Sequence, residues 1–85
     1  METTTIFATI AAVLTTGSFI PQALKTIKTR QTKDISMWMY LLFSIGLISW
    51  EIYGIIVVSW PIILANGITF ALVLPILILK ILSKE

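Results

Sequence analysis

The chain has 85 residues, of which 58% are hydrophobic and only 12% are charged. Its mean hydropathy of +1.02 exceeds what a soluble domain of this size could hide in a core, so the composition indicates a membrane protein. Cysteine and histidine are both absent, which excludes disulfides, thiol chemistry and the common zinc sites.

Three apolar segments are each long enough to cross a hydrocarbon layer of about 30 Å at about 1.5 Å of helical rise per residue. We therefore predict an all-α membrane protein in which residues 1–85 form a single three-helix transmembrane domain. The predicted helices cover about residues 5–24, 35–58 and 61–81. The segment METTTIF contains no Lys or Arg, so we expect the first helix to be retained rather than removed as a signal peptide.

The loops between these helices carry recognisable start signals. Asp34 or Ser36 can cap the second helix, because a short oxygen side chain accepts hydrogen bonds from the free N–H groups of a first helical turn. Pro61 suits the start of the third helix, where its missing N–H costs little. Both signals predict short connections between long helices.

The basic residues lie in the first loop and at the C-terminal end of the chain. They are Lys25, Lys28, Arg30, Lys33, Lys80 and Lys84. Three spans put these two regions on the same side of the membrane, so the positive-inside rule predicts an external N-terminus and a cytoplasmic C-terminus. The net charge of +2 is explained by this distribution and does not require a nucleic acid as partner.

A stripe of mostly aromatic and apolar residues runs along one face of the predicted second helix. Its members, spaced four and three residues apart in alternation, are Met39, Phe43, Gly46, Trp50, Tyr53 and Val57. Such a stripe can be a packing seam or a lipid-facing surface. Trp50, however, lies about 12 Å from the outer end by helical rise, below the interface where Trp normally gathers, and this depth favours a functional role.

Asn66 of the third helix lies about 7 Å below the outer end by the same count, at a depth similar to that of Trp50. A buried Asn can simply join two helices. The alternative is a sugar site, since a pyranose ring packs its C–H surface on indole while its hydroxyls need donors and acceptors. Three helices are too few to enclose a pocket, so we expect a parallel homodimer that supplies two copies of each residue.

The segment FIPQ places a proline inside the first predicted helix, close to its inner end. Pro21 cannot donate to the carbonyl of Gly17 and its ring crowds the preceding turn, so we expect a bend there. Proline kinks are common in membrane helices. This one lies just above the cytoplasmic mouth, with Gln22 and Phe19 on a shared face, which also fits the flexing point of an inner gate.

Glu51 is the one acidic or basic residue well inside a predicted span. It points about 100° away from Trp50 around the helix, toward the side that carries Tyr40, Ser44 and Leu47. Burial of a carboxyl group in a membrane is costly. We therefore expect Glu51 to be hydrogen-bonded across an interface or coupled to proton movement.

Three segments resemble the SemiSWEET sugar transporters, the bacterial half-size members of the PQ-loop family. These segments are FIPQALKTIKTRQTKDISMWMY, ISWEIYG and ILANGITFAL, and the resemblance covers nearly the whole chain. It implies a bundle whose helices are arranged in space as one, three, two. It also implies a parallel homodimer of six helices in the bacterial cytoplasmic membrane.

The resemblance further implies roles for individual residues. Trp50 and Asn66 would contact the sugar, and Pro21 with Gln22 would form the hinge of the first helix. The implied intracellular gate consists of Phe19, Met39 and Phe43, and the extracellular gate consists of Tyr53 and Val57. The resemblance implies no catalytic residue, metal or cofactor.

We therefore expect a sugar uniporter that moves a mono- or disaccharide such as glucose or sucrose down its gradient by alternating access. The sequence contains no P-loop, carboxylate pair or metal cluster, which argues against ATP hydrolysis and enzymatic catalysis. Three alternatives stay open: a proton-coupled amino-acid or cation transporter that uses Glu51, a holin-like pore, and an accessory subunit of a larger membrane protein.

Overall fold

The computed structural model describes residues 2–83, and this range forms three α-helices. They are α1 (Thr3–Thr29), α2 (Met37–Val57) and α3 (Trp60–Leu82). Each helix is long and apolar enough to cross a membrane. The predicted all-α class with three membrane-spanning helices is confirmed. Lys84, one of the six basic residues, lies outside the described residues.

α1 continues five residues beyond its predicted end at residue 24. The prediction ended the helix where polar residues replace apolar ones, but these side chains support further helical turns. Thr26 and Thr29 each donate their hydroxyl to the backbone carbonyl four residues earlier. The helix stops at Arg30, whose backbone is left-handed with φ 59° and whose N–H bonds to the carbonyl of Thr26.

The ends of α2 and α3 are set by a cap, a reversal of the chain and a proline. The Ser36 hydroxyl accepts the backbone N–H of Met39 at 3.2 Å, so Ser36 is the one of the two candidate residues that caps α2. Val58 follows α2 with a left-handed φ of 54°, and Pro61 lies in the first turn of α3. The very short connection makes α2 and α3 antiparallel neighbours.

α3 lies between the other two helices. It packs against both α1 and α2, whereas the backbones of α1 and α2 do not come close to each other anywhere in residues 2–83. The predicted spatial order one, three, two is therefore confirmed. The buried apolar core consists of Ala23, Tyr40, Leu47, Val73, Ile76 and Leu77. We call the end of the bundle with residues 30–36 the loop end and the end with residues 58–59 the turn end.

A buried lysine ties the α1–α2 loop to α3 at the loop end. Lys80 exposes only 9% of its surface, and its Nζ donates to the carbonyl of Thr32 at 2.9 Å. Thr32 is itself fully buried, and its carbonyl also accepts the backbone N–H of Ile35. The sequence analysis used Lys80 only to predict which ends of the helices are cytoplasmic. In the fold, Lys80 also fixes the position of the α1–α2 loop.

α2 and α3 approach each other closely at Gly54. A Cβ at this position would lie 2.8 Å from Cγ2 and 3.2 Å from Cβ of Ile62. Ile62 is β-branched and has little rotamer freedom in a helix, so it cannot easily move aside. Gly46 of the same helix differs, since a Cβ there would meet no atom within 4 Å.

We expect Gly54→Ala to lower the stability of the protein by about 1–3 kcal/mol, the usual cost of overpacking a tight contact. Gly46→Ala is the matched control, and it should leave stability unchanged or raise it, because Ala is a better helix former than Gly by about 1 kcal/mol. Thermal unfolding of both variants in the same detergent measures the difference. Equal melting temperatures would contradict the close approach at Gly54.

Candidate functional site

An open groove lies between α1 and α2, with α3 as its back wall. It has a volume of about 1100 Å³ and exists because the backbones of α1 and α2 each lie close to α3 but not to each other. α1 contributes small residues such as Ala8 and Ala12, α2 contributes aromatic and apolar side chains, and α3 contributes Asn66 and Thr69. We call it the α1–α2 groove.

Trp50 and Asn66 both line the α1–α2 groove. Trp50 exposes 56% of its surface, so much of the indole is free to contact a bound molecule. The Nδ2 group of Asn66 donates to the carbonyl of Ile62 at 3.0 Å. This bond fixes the orientation of the amide and leaves Oδ1 as an acceptor for another partner.

The indole of Trp50 is held against Tyr53. Their ring centroids are 5.6 Å apart and their planes meet at 88°, an edge-to-face arrangement that favours a defined ring orientation. Tyr53 and Val57 do not line the α1–α2 groove. They line a second groove of about 1040 Å³ at the turn end, which runs between α1 and the start of α3. The structure thus separates these two residues from the others while keeping Tyr53 in contact with Trp50.

Phe19, Met39 and Phe43 line the α1–α2 groove on the loop-end side of Trp50. The rings of Phe19 and Phe43 lie 6.0 Å apart at 88°, so α1 and α2 meet through this edge-to-face pair. Tyr40 also packs edge-to-face on Phe43, with ring centroids 6.4 Å apart. The pair of Phe rings therefore narrows the groove at this level, and Met39 adds to its apolar lining.

Pro21 and Gln22 are exposed, and neither lines a described groove. α1 remains helical through Pro21. The sequence analysis missed a second interior proline, Pro75 of α3, although the segment LVLPIL contained the signal. Thr16 contacts Thr69, and the two prolines follow these threonines by five and six residues along helices that run in the same direction. Both prolines therefore lie at about the same level of the bundle.

Two buried threonines add hydroxyl groups to the back of the α1–α2 groove. The Oγ1 atoms of Thr16 and Thr69 are 3.4 Å apart. Thr69 donates its hydroxyl hydrogen to the carbonyl of Ala65 at 2.7 Å, so Thr16 is the donor within the pair. The sequence did not single out Thr16, because helical spacing alone gives no contact between residues of different helices.

Glu51 lies on the same side of α2 as the buried residues Ser44 and Leu47, facing α3. Its Oε1 atom is buried and has no hydrogen-bond partner in the part of the chain that the structure describes. Its Oε2 atom lies against Gly67. Glu51 therefore sits behind the α1–α2 groove and does not belong to its lining.

The α1–α2 groove combines an indole, two Phe rings, one amide and three Thr hydroxyls in a mostly apolar wall. Among the described residues, no His, Cys, Asp or Glu lines it. No group of three or more such residues in positions 2–83 could hold a metal ion. This composition suits the reversible binding of a neutral molecule that has both apolar and hydroxyl-bearing faces.

The PQ loop repeat family model matches residues 3–63 of the chain. A Sugar transporter SemiSWEET from Escherichia coli (strain UMEA 3162-1) is 39% identical over 85 residues, which are 100% of this chain and 96% of that protein. A Sugar transporter SemiSWEET from Leptospira biflexa serovar Patoc is 49% identical over 72 residues, 85% of each chain. The crystal structure of SemiSWEET in the inward-open conformation matches with a TM-score of 0.86 and 40% identity, covering 94% of this chain and 93% of that one. The chain therefore belongs to the SemiSWEET group of the PQ-loop family.

Proposed function

We propose that this chain is a sugar uniporter, which binds a mono- or disaccharide in the α1–α2 groove and moves it down its gradient by alternating access. The observation that carries the proposal is the position of Trp50 and Asn66 in one groove of a SemiSWEET fold. The names of the relatives from Escherichia coli and Leptospira biflexa, both called sugar transporters, support the substrate class.

The chemistry of the groove suits a sugar. The exposed indole of Trp50 offers a flat apolar face to the C–H surface of a pyranose ring. Oδ1 of Asn66 can accept a hydrogen bond from a sugar hydroxyl. With few polar groups in the wall, the site places few demands on the pattern of hydroxyls, and we expect both glucose and sucrose to be accepted.

A second copy of the chain completes the transport path in this proposal. The α1–α2 groove is open on the side away from α3, and Trp50 is more than half exposed there. A parallel homodimer with its two-fold axis along the membrane normal closes that side and adds a second Trp50 and Asn66. The dimer of six helices lies in the bacterial cytoplasmic membrane, with the N-terminus outside and the C-terminus in the cytoplasm.

The gates in this proposal lie on either side of the sugar. Phe19, Met39 and Phe43 form the intracellular gate, and the ring contact between Phe19 and Phe43 gives it an apolar plug. Tyr53 and Val57 form the extracellular gate. Because Tyr53 touches Trp50, movement of this gate is coupled to the indole that holds the sugar.

Pro21 and Gln22 form the hinge in this proposal. Pro21 lacks an N–H, so the carbonyl of Gly17 has no helical partner one turn later, and α1 can bend there at little cost. Phe19 lies two residues away, so a bend at Pro21 moves one half of the aromatic pair that narrows the groove.

A proton-coupled transporter that uses Glu51 is the second candidate. The unpartnered Oε1 atom favours it, since a carboxyl group inside a membrane is often functional. Its location weighs against direct substrate contact, because Glu51 faces Gly67 and lies behind the α1–α2 groove.

We expect Trp50→Ala and Asn66→Ala each to lower saturable sugar uptake at least about tenfold, the equivalent of about 1.4 kcal/mol. The reason is that each substitution removes one of the groups that contact the sugar. The measurement is uptake of radiolabelled glucose and sucrose into liposomes that contain the purified protein, at matched pH on both sides.

Trp38→Ala is the matched control for this experiment. Trp38 is also on α2 but is 75% exposed and lies outside both grooves, so uptake should stay close to that of the unmodified protein. Chemical cross-linking of each variant verifies that the dimer still assembles. Unchanged uptake in both Trp50→Ala and Asn66→Ala would show that the site is elsewhere.

We expect Pro21→Ala to slow uptake roughly fivefold while sugar still binds. The Ala N–H can bond to the carbonyl of Gly17, and a hydrogen bond of about 1 kcal/mol corresponds to this change in rate. Equilibrium binding of glucose, followed by tryptophan fluorescence, separates binding from transport. Pro61→Ala is the control because Pro61 lies in the first turn of α3. A normal uptake rate in Pro21→Ala would contradict the hinge.

We expect glucose inside the liposomes to reach the external concentration and to stop there, because a uniporter only dissipates a gradient. An imposed pH gradient of either sign should leave this plateau unchanged, and so should Glu51→Gln. Radiolabelled glucose measured at long times tests this. Accumulation above the external concentration that depends on the pH gradient and is lost in Glu51→Gln would favour the proton-coupled candidate.

A further inference from the structure

Two residues directly behind the proposed sugar site touch each other. Glu51 follows Trp50 in α2, and Gly67 follows Asn66 in α3. A Cβ at Gly67 would lie 3.1 Å from Oε2 of Glu51, which is tighter than carbon and oxygen normally pack. The two residues that face the groove are thus each backed by one member of a close interhelical contact.

Packing, rather than an ion pair among residues 2–83, holds Glu51 in this place. Glu51 is the only acidic or basic residue between Asp34 and Lys80 in the sequence, and Lys80 is bonded to Thr32 at the loop end. Oε1 is buried without a hydrogen-bond partner among residues 2–83. The Glu51 side chain therefore packs against the backbone of Gly67. A side chain at position 67 would occupy the same space as the Glu51 carboxylate.

The next contact toward the turn end fixes α2 on α3. At Gly54, about one turn beyond Glu51, the backbone of α2 lies against Ile62 with no room for a methyl group. With that point fixed, the size of the Glu51 side chain that packs on Gly67 sets how far apart α2 and α3 lie one turn nearer the loop end. Trp50 and Asn66 stand at this level and move with their helices.

We propose that Glu51 is a positioning residue of the sugar site, whose side chain, packed on Gly67, sets the separation of Trp50 and Asn66. This inference rests on the proposed function. Glu51 does not itself touch the sugar, since it faces α3 and is absent from the groove lining. Its influence reaches the substrate through the spacing of the two helices.

The test is a double-mutant cycle on the half-saturating concentration, KM, for glucose uptake into liposomes. Glu51→Ala removes the spacer and should raise KM at least about threefold, and Gly67→Ala should do the same by pushing the carboxylate away. In the double variant the new methyl group occupies part of the space left by Glu51. The fold increase in KM of the double variant should therefore be at least about threefold smaller than the product of the fold increases of the two single variants. A deviation of this size lies within the coupling energies measured between contacting residues.

Three controls separate positioning from a general loss of structure. Glu51→Gln keeps the shape of the side chain and should retain a KM close to that of the unmodified protein. Ile52→Ala shortens a neighbouring side chain that is 54% exposed and should leave KM unchanged. The methyl group added by Gly54→Ala would lie against Ile62 and not against Glu51. Combining it with Glu51→Ala should therefore not reverse the effect of Gly54→Ala. A purely structural defect would lower the maximal rate and the melting temperature with KM unchanged.

The outcomes distinguish this inference from the function on which it rests. No saturable uptake of glucose or sucrose by the unmodified protein would overturn the proposed function and this inference with it. Saturable uptake by the unmodified protein, combined with unchanged KM in Glu51→Ala or with multiplicative effects in the double variant, would overturn the positioning role alone. Elevated KM in both single variants with partial recovery in the double variant is the expected result.

Discussion

The packing of α3 between α1 and α2 is the constraint on which the rest of the bundle depends. A very short turn forces α3 to lie antiparallel beside α2, while the longer loop after α1 lets the chain reach across. Lys80 then holds that loop against α3 through the carbonyl of Thr32. Because the backbones of α1 and α2 both lie against α3 and not against each other, a groove stays open between them, and Trp50 lines it.

Lipid gives helices little hydrophobic reason to associate, so close packing and polar contacts must hold them together. The α2–α3 interface uses glycine for close approach, with Gly54 against Ile62 and Gly67 against Glu51. The α1–α3 interface uses the hydroxyl pair of Thr16 and Thr69. The same threonines line the back of the groove, so the contacts that stabilise the bundle also supply part of the surface open to a ligand.

Adjacent residues of α2 and α3 line the α1–α2 groove and form the α2–α3 interface. Around a helix, consecutive residues point about 100° apart, so Trp50 faces the groove while Glu51 faces α3. Asn66 and Gly67 are related in the same way on the opposing helix. In the positioning role that we propose, a change in the packing of the interface reaches the groove over a single residue, with no long pathway between them.

The sequence by itself determined the three spans and the similar depth and chemistry of Trp50 and Asn66, because hydropathy and helical rise are local properties. It narrowed the cap of α2 to Asp34 or Ser36, and the structure selected Ser36. The order one, three, two followed from a family resemblance and not from these patterns. The tertiary structure decided which helix faces meet, and with them the Thr16–Thr69 pair, the bond from Lys80 and the contact of Glu51 with Gly67. It also decided that α1 extends to Thr29. The physical reason is that helical spacing fixes angles within one helix, whereas contacts between helices depend on how each is rotated and placed against its neighbour.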